Sequence, residues 1–212
     1  MGANVEVKMA SSRRMGLESS EVRAQLIEAA DQLVREEGCA AVTARRLAEK
    51  VGLKRQIVHY YFGAIEDLFV ALIRRNGDRI RERIVQALES DEPLRVLWET
   101  GNNATATIFE FTGMAMRSAA IQAEVKRYME MFRQIETQAL ARHLELRGIK
   151  SAIPPAALAI VVTSISQTLA VEQALDVSEG HAETRALVED WLRGFAERGE
   201  WPMPARGANG GA

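Results

Sequence analysis

The sequence is poor in cysteine, since Cys39 is the only one among 212 residues. A single cysteine excludes an intramolecular disulfide and a cysteine-rich zinc site, and it fits a cytoplasmic location. No run of about 18 apolar residues is free of charged or polar breaks, so the sequence predicts no membrane-spanning helix and no membrane partner. The N-terminal segment lacks an apolar signal core, so we expect no export.

Signatures of catalysis are also missing. The three histidines, His59, His143 and His181, lie far apart in the sequence. Neither an HExxH nor a GxSxG motif occurs, and no glycine-rich loop could cradle a phosphate. We therefore expect that the protein is not an enzyme and that it has no metal site and no cofactor.

Composition and charge are those of an ordinary globular protein. Hydrophobic residues make up 47% and charged residues 26% of the chain, which is enough to form a hydrophobic core. Residues 1–75 hold 12 Lys and Arg against 10 Asp and Glu, which leaves 15 against 19 for the remainder. This offset weakly favours a nucleic-acid partner at the N-terminal end, but chance scatter would also produce it.

Apolar residues recur at helical spacing along almost the whole chain, and no segment has the alternation of a strand. The sequence therefore predicts an all-α protein with about nine helices. Two short helices are expected on either side of the turn Val51-Gly52-Leu53, where Gly52 can adopt a positive φ. Thr43 can cap the first of these helices. Two short helices joined by a glycine-centred turn are typical of a helix-turn-helix.

The segment from Val22 to Leu72 resembles the DNA-binding domain of the TetR family of transcriptional regulators. The likeness rests on a joint pattern with fixed spacing, which comprises Ala29-Ala30, Leu33, Glu37-Gly38, Thr43, Leu47-Ala48, Val51-Gly52-Leu53, Tyr61-Phe62 and Asp67-Leu68. Three positions depart from the family's usual residues. Lys54 replaces Ser or Thr, His59 replaces Tyr, and Ile65 replaces a Lys that commonly contacts a phosphate.

The resemblance implies a division of the chain into four parts. These are a flexible N-terminal arm (1–17), a helix-turn-helix domain (18–64), a helical domain for ligand binding and dimerisation (65–200), and a flexible tail (201–212). The implied function is that of a transcriptional repressor, which a small and mainly apolar ligand releases from a palindromic operator.

The helix after Gly52 is expected to enter the major groove of double-stranded operator DNA. There Arg55 can pair with guanine and Gln56 with adenine. Arg45 and Arg46 are both candidates for the DNA backbone, but one of them is expected to point away. Arg13 and Arg14 in the arm could reach a minor groove, or could simply be disordered. The predicted DNA-binding residues are Thr43, Arg45, Lys54, Arg55, Gln56, His59 and Tyr60.

Residues 156–175 are apolar nearly all round, and a further apolar stripe runs from Leu187 to Phe195. A helix of that kind must be buried on several sides. The family dimerises through its last two main helices, so the resemblance implies a homodimer, with burial inside a monomer as the alternative. The predicted interface residues are Ile160, Leu169, Leu187, Val188, Trp191 and Phe195.

The middle of the chain is rich in methionine and aromatic residues, with polar residues between them. Such a mixture can line a small-molecule site, although plain core packing would show the same pattern. The predicted ligand-binding residues are Trp98, Phe109, Met114, Tyr128, Met131, Phe132 and Gln167. A second interpretation is a dimeric DNA-binding protein whose C-terminal domain only dimerises or binds a protein partner.

Overall fold

The computed structural model describes residues 21–102 and 106–198. Within these residues the chain forms nine α-helices and one 3-10 turn and has no strand, which confirms the predicted all-α class. The predicted arm (1–17), with Arg13 and Arg14, and the predicted tail (201–212) lie outside the described residues.

The two short helices predicted on either side of Gly52 are present. Helix α1 covers residues 21–37, and the 3-10 turn Cys39–Ala41 follows it. The other helices are α2 (Ala44–Val51), α3 (Arg55–Tyr61), α4 (Ile65–Ala87), α5 (Pro93–Asn102), α6 (Ala106–Ala115), α7 (Ala119–Leu146), α8 (Pro155–Ala174) and α9 (His181–Arg198). Proline starts α5 and α8, where its missing N–H costs nothing.

The chain forms two compact units. Unit 1 comprises the residues up to Asp78 together with Thr107–Lys126, and unit 2 comprises Arg79–Ala106 and the residues from Arg127 onward. These units do not follow the boundary that the sequence predicted at residue 65. The reason is that the first part of α4 buries Leu68 and Leu72 in unit 1, to which α6 and the start of α7 also contribute.

A buried carboxylate joins α1 to α4 in unit 1. Asp31 is only 2% exposed. Its Oδ1 accepts a hydrogen bond from Asn76 Nδ2 at 2.8 Å, and its Oδ2 pairs with Arg35 and lies 3.1 Å from Arg75 Nη2. Arg75 also pairs with Glu28 at 2.9 Å. A buried charge is tolerated only when it is paired, so this cluster fixes how α1 and α4 pack.

The core of unit 2 is formed mainly by α5, α7, α8 and α9, and α5 packs directly against α8. Its buried side chains are Ile84, Leu88, Leu94, Leu97, Trp98, Leu140, Leu144, Leu158, Ala159, Val162, Leu169, Val188, Leu192 and Phe195. Apolar burial of this extent is the main force that stabilises the unit.

Helix α8 is apolar on almost every side. By length and composition it could cross a membrane, as could α3 and α4 taken together as one span bent by 66°. In α8, however, only 28% of the most apolar stretch is buried within the chain. Leu158, Val162 and Leu169 face the core of unit 2, whereas Ile160 and Val161 are exposed. A large part of this apolar surface therefore remains uncovered in the single chain.

Replacing Asp31 with alanine should destabilise the protein, because Arg75 would lose its buried partner. We expect the free energy of unfolding to fall by about 3 kcal/mol, measured by chemical denaturation. Arg35→Ala is the matched control, since the Arg35 side chain is 66% exposed and contacts the same carboxylate. It should cost less than about 1 kcal/mol. Equal losses in the two variants would contradict the role given to burial of Asp31.

Candidate nucleic-acid interface

The turn between α2 and α3 is fixed by local hydrogen bonds. Thr43 is the N-cap of α2, and its Oγ1 accepts the N–H of Arg46 at 3.3 Å. At the other end Gly52 adopts φ 68° and ψ 28°, a left-handed conformation that glycine enters without strain. The N–H of Leu53 then donates to the carbonyl of Ala48 at 2.9 Å. These contacts, with buried Leu47 and Val58, set the direction in which α3 leaves the turn.

One face of α3 is polar and open to solvent. Arg55, Gln56, His59 and Tyr60 are all exposed, at the i and i+4 spacing that places them side by side. The opposite face is anchored by Val58, which is only 2% exposed. Tyr60 is 77% exposed, which is unusual for a large aromatic residue. The structure thus brings together four of the predicted DNA-binding residues on one helix face.

Arg55 and His59 contact each other on this face. The Nε of Arg55 donates to Nε2 of His59 at 3.4 Å. In the tautomer that accepts this bond at Nε2, the other ring nitrogen, Nδ1, carries the proton and can donate to a phosphate or a base. Both side chains remain exposed, so the contact orients them without removing either from solvent.

Lys54 occupies the N-cap of α3 but makes no side-chain cap. A lysine has no acceptor, so it cannot bind the free amides of the first turn as Ser or Thr would. Its charge also lies at the positive end of the helix dipole, which costs about 0.3–1 kcal/mol. A nearby phosphate would offset this cost.

The two neighbouring arginines of α2 differ in their surroundings. The guanidinium of Arg46 binds both carboxylate oxygens of Glu37, at 2.7 and 2.5 Å. This hydrogen bond raises the pKa of Arg46 and lowers the pKa of Glu37. The pair is therefore present at neutral pH and is lost only as the pH falls through the lowered pKa of Glu37. Arg45 has a 78% exposed side chain and only a 3.7 Å contact with Glu49. Arg45 is thus the less engaged and more exposed of the two arginines.

A depression of about 210 Å³ lies beside this face. Thr43 and His59 line it together with Ile65, the first residue of α4. Its other lining residues are mostly apolar: Val42, Ala44, Val58, Phe62 and Ala64. Helix α4 therefore begins next to the predicted DNA-binding residues, and Ile65 gives this position an apolar side chain.

The predicted ligand-binding residues are divided between the two units. Trp98 is buried in the core of unit 2 with Phe132 packed against that core, and the rings of Tyr128 and Phe132 stack at 5.9 Å. Met131 and Gln167 in the same unit are partly buried. Phe109 and Met114 belong to α6 in unit 1, and Phe109 is 45% exposed.

The predicted dimer residues also divide into two kinds. Ile160 and Leu187 are about half exposed, and Trp191 is partly buried. Leu169, Val188 and Phe195 are at most 5% exposed and lie in the core of unit 2, and their place in a dimer interface stays a prediction. Phe195 also stacks on His143 and lines a cavity of about 20 Å³ inside the same unit.

Comparison with known proteins places these features in a family. Residues 26–72 match the model of bacterial regulatory proteins of the tetR family. This segment of the chain is a DNA-binding domain of the TetR type. The transcriptional regulator BetI of Rhizobium meliloti is 25% identical to the chain over 198 residues, which cover 86% of this chain and 94% of BetI. The transcriptional repressor AcnR of Corynebacterium efficiens is 24% identical over 179 residues, 81% of this chain and 92% of AcnR.

The fold agrees with this match. A regulator from Saccharomonospora viridis, crystallised in complex with choline, superposes with a TM-score of 0.68 at 18% sequence identity. The match covers 82% of this chain and 96% of that protein. The tetR-type helix-turn-helix and the two regulators among its relatives make this chain a DNA-binding transcriptional regulator. Its individual DNA, ligand and dimer contacts remain predictions.

Sequence reasoning missed some polar contacts in this regulator. The Arg46–Glu37 pair joins residues nine positions apart, and Glu37 was noted only as part of the family pattern. Glu136 is 9% exposed on α7, and burial raises its pKa despite its pair with Arg133. The sequence signal for burial of Glu136 was its position four residues after Phe132, which places the two side chains on the same face of α7. Among the described residues, no group of three His, Cys, Asp or Glu could hold a metal ion.

Alanine variants of the two arginines should separate DNA contact from structure. We expect Arg45→Ala to weaken binding to all DNA sequences alike and to lower the salt dependence of binding by about one phosphate contact. Arg46→Ala should leave the salt dependence unchanged and reduce thermal stability, because it breaks the pair with Glu37. Fluorescence anisotropy over a salt series and thermal unfolding measure these effects. The reverse pattern would assign the DNA contact to Arg46.

Proposed function

We propose that the protein is a dimeric repressor, which a small and mainly apolar ligand releases from a palindromic operator. The observation that carries this proposal is the exposed polar face of α3, held on a turn that local hydrogen bonds define. Arg55 and Gln56 would read base edges in the major groove. Thr43, Arg45, Lys54, His59 and Tyr60 would contact phosphates and set the register of the helix on the DNA.

A palindromic operator follows from the small size of this reading surface. The seven residues of α3 can reach only a few base pairs, which is too little to define a site in a genome. Two copies with recognition helices about 34–36 Å apart would read two half-sites on one side of the duplex. A symmetric dimer provides this arrangement.

The surface for the dimer would be the exposed side of α8. Ile160, Val161, Ser164 and Thr168 are exposed at helical spacing, and Leu187 is exposed on α9. Exposed apolar surface of this kind marks an interaction site. Partner helices would cover the part of α8 that the single chain leaves open, and partly buried Trp191 would lie at the margin.

The effector would bind in unit 2. The stacked rings of Tyr128 and Phe132, with Trp98 in the adjoining core, provide an apolar wall, and Met131 and Gln167 would add an adaptable and a polar contact. The S. viridis regulator of similar fold binds choline, so this fold can hold a small organic molecule. The name of AcnR supports a repressor. Effector binding would favour a dimer arrangement whose recognition helices no longer match successive grooves.

Selection on random duplex DNA at physiological salt tests this function. The wild-type protein should recover a palindrome with two half-sites. Arg55→Ala should lose discrimination at one position of each half-site, by about 1–3 kcal/mol, because it removes one base contact. A uniform loss on all sequences would make Arg55 a phosphate contact. Recovery of no sequence above background would contradict the proposed function. The selected operator then serves as the probe for release by small molecules, beginning with choline.

Introducing a charge on α8 should dissociate the dimer. We expect Ile160→Glu to shift the protein to monomers in sedimentation velocity, because a carboxylate would be buried without a partner. It should also weaken binding to the palindrome more than binding to one half-site. Leu146→Glu is the matched control, since Leu146 is 75% exposed at the end of α7. If both variants remain dimeric, the interface lies elsewhere.

A further inference from the structure

Glu110 on α6 reaches the turn that connects α1 to α2. Its Oε2 accepts the backbone N–H of Cys39 at 2.5 Å, across 71 positions of sequence. Cys39 is the first residue of the 3-10 turn, and the N-cap of that turn is Gly38, which offers no side-chain cap. The carboxylate of Glu110 therefore supplies from outside the capping acceptor that the turn itself lacks.

The backbone at Gly38 lets the carboxylate of Glu110 approach closely. Gly38 has φ 83°, which favours glycine, and a Cβ added there would lie 3.3 Å from both carboxylate oxygens of Glu110. The thiol of Cys39 also meets the carboxylate. Burial and then the hydrogen bond to Glu110 raise the pKa of Cys39 to about 12. Glu110 thus holds both the amide and the thiol of one residue.

The turn held by Glu110 leads directly into the predicted DNA-binding surface. The N–H of Val42 donates to the carbonyl of Cys39 at 3.1 Å, and Thr43, the N-cap of α2, follows. Val42 and Thr43 line the depression that also contains His59 and Ile65. Next to Glu110, Phe111 packs edge-on against Phe69 of α4 at 6.2 Å. The start of α2 therefore depends on a carboxylate from α6.

We propose that Glu110 is a positioning residue for operator binding, which acts through the Gly38–Val42 turn to place the N-terminus of α2 on the DNA. The inference rests on the proposed DNA-binding surface and adds a residue of α6 to the machinery of recognition. The coupling is reciprocal. If the contact between Glu110 and Cys39 raises the affinity for DNA, then bound DNA must stabilise that contact. Cys39, as the only cysteine in the chain, reports on that contact.

The test compares Glu110→Ala and Glu110→Gln in the full-length protein. Glu110→Ala removes the acceptor, whereas Glu110→Gln keeps an amide oxygen and removes the charge. Glu82→Ala is the control for the loss of one negative charge, because Glu82 is exposed on the part of α4 that belongs to unit 2. Circular dichroism and thermal unfolding establish that each variant is folded, and Glu110→Gln serves if the alanine variant is not.

The first measurement is the rate at which Cys39 reacts with an aromatic disulfide reagent at pH 8. The wild-type thiol should react slowly, since it is buried and its pKa is about 12. We expect Glu110→Ala to react at least about tenfold faster, Glu110→Gln to be intermediate, and Glu82→Ala to match wild type. Adding operator duplex should slow the reaction of Cys39 further in the wild-type protein. In Glu110→Ala the same duplex should slow the reaction of Cys39 less.

The second measurement is the affinity for the selected operator. Glu110→Ala should bind at least about tenfold more weakly, with partial rescue in Glu110→Gln. A faster thiol reaction with unchanged affinity would overturn the inference, because Glu110 would then only pack the turn. Failure of the wild-type protein to bind any operator would overturn the proposed function and this inference with it. The wild-type control therefore distinguishes the two failures.

Discussion

The geometry of unit 1 depends on a charge that has been taken out of water. The buried carboxylate of Asp31 is surrounded by Arg75, Arg35 and Asn76, which supply the partners that a buried charge requires. Apolar contacts between two helices tolerate small sliding movements, but a carboxylate with defined partners on the other helix does not. Helix α4 carries Arg75 and Asn76 and begins at Ile65, beside Thr43 and His59, so the partners of Asp31 lie on the same helix that borders the predicted DNA-binding surface.

In unit 2 the most apolar helix, α8, has one buried side and one exposed side. Helix α8 supplies Leu158, Val162 and Leu169 to its own core and leaves Ile160 and Val161 facing outward. The exposed side of α8 thus carries Ile160 and Val161 together with Ser164 and Thr168. The two exposed apolar residues are the part of this helix that the core of unit 2 does not explain.

Local features of the sequence predicted the helices well, because helix ends are decided by caps, glycines and prolines within a few residues. Gly52, Thr43 and the prolines at the start of α5 and α8 are examples. The inward or outward direction of a side chain was harder to predict where a helix is apolar on both sides. Leu187 and Val188 are neighbours in one stripe, but Leu187 is 50% exposed and Val188 is 1% exposed.

Contacts between distant segments could not be predicted from one sequence. Nothing in the pattern near residue 110 indicates that its carboxylate meets Cys39, since that distance depends on the packing of α6 in unit 1. Which of Arg45 and Arg46 is engaged in an ion pair with Glu37 also depends on a contact between separate segments. Both have the same local propensity, and only the position of Glu37 at the end of α1 decides which one is engaged. The predicted DNA-binding residues were easier because one exposed face of one helix carries most of them.

The interleaving of the two units limits how the protein can be recombined. Unit 1 takes residues 107–126 from a part of the chain that follows a segment of unit 2, and α4 and α7 each contribute to both units. A chimaera joined at residue 65 would give the helix-turn-helix a foreign α6, without Glu110 or Phe111. Exchange of unit 2 between such regulators therefore needs three junctions, near residues 78, 106 and 126. With these junctions, each unit keeps all the segments that form its core.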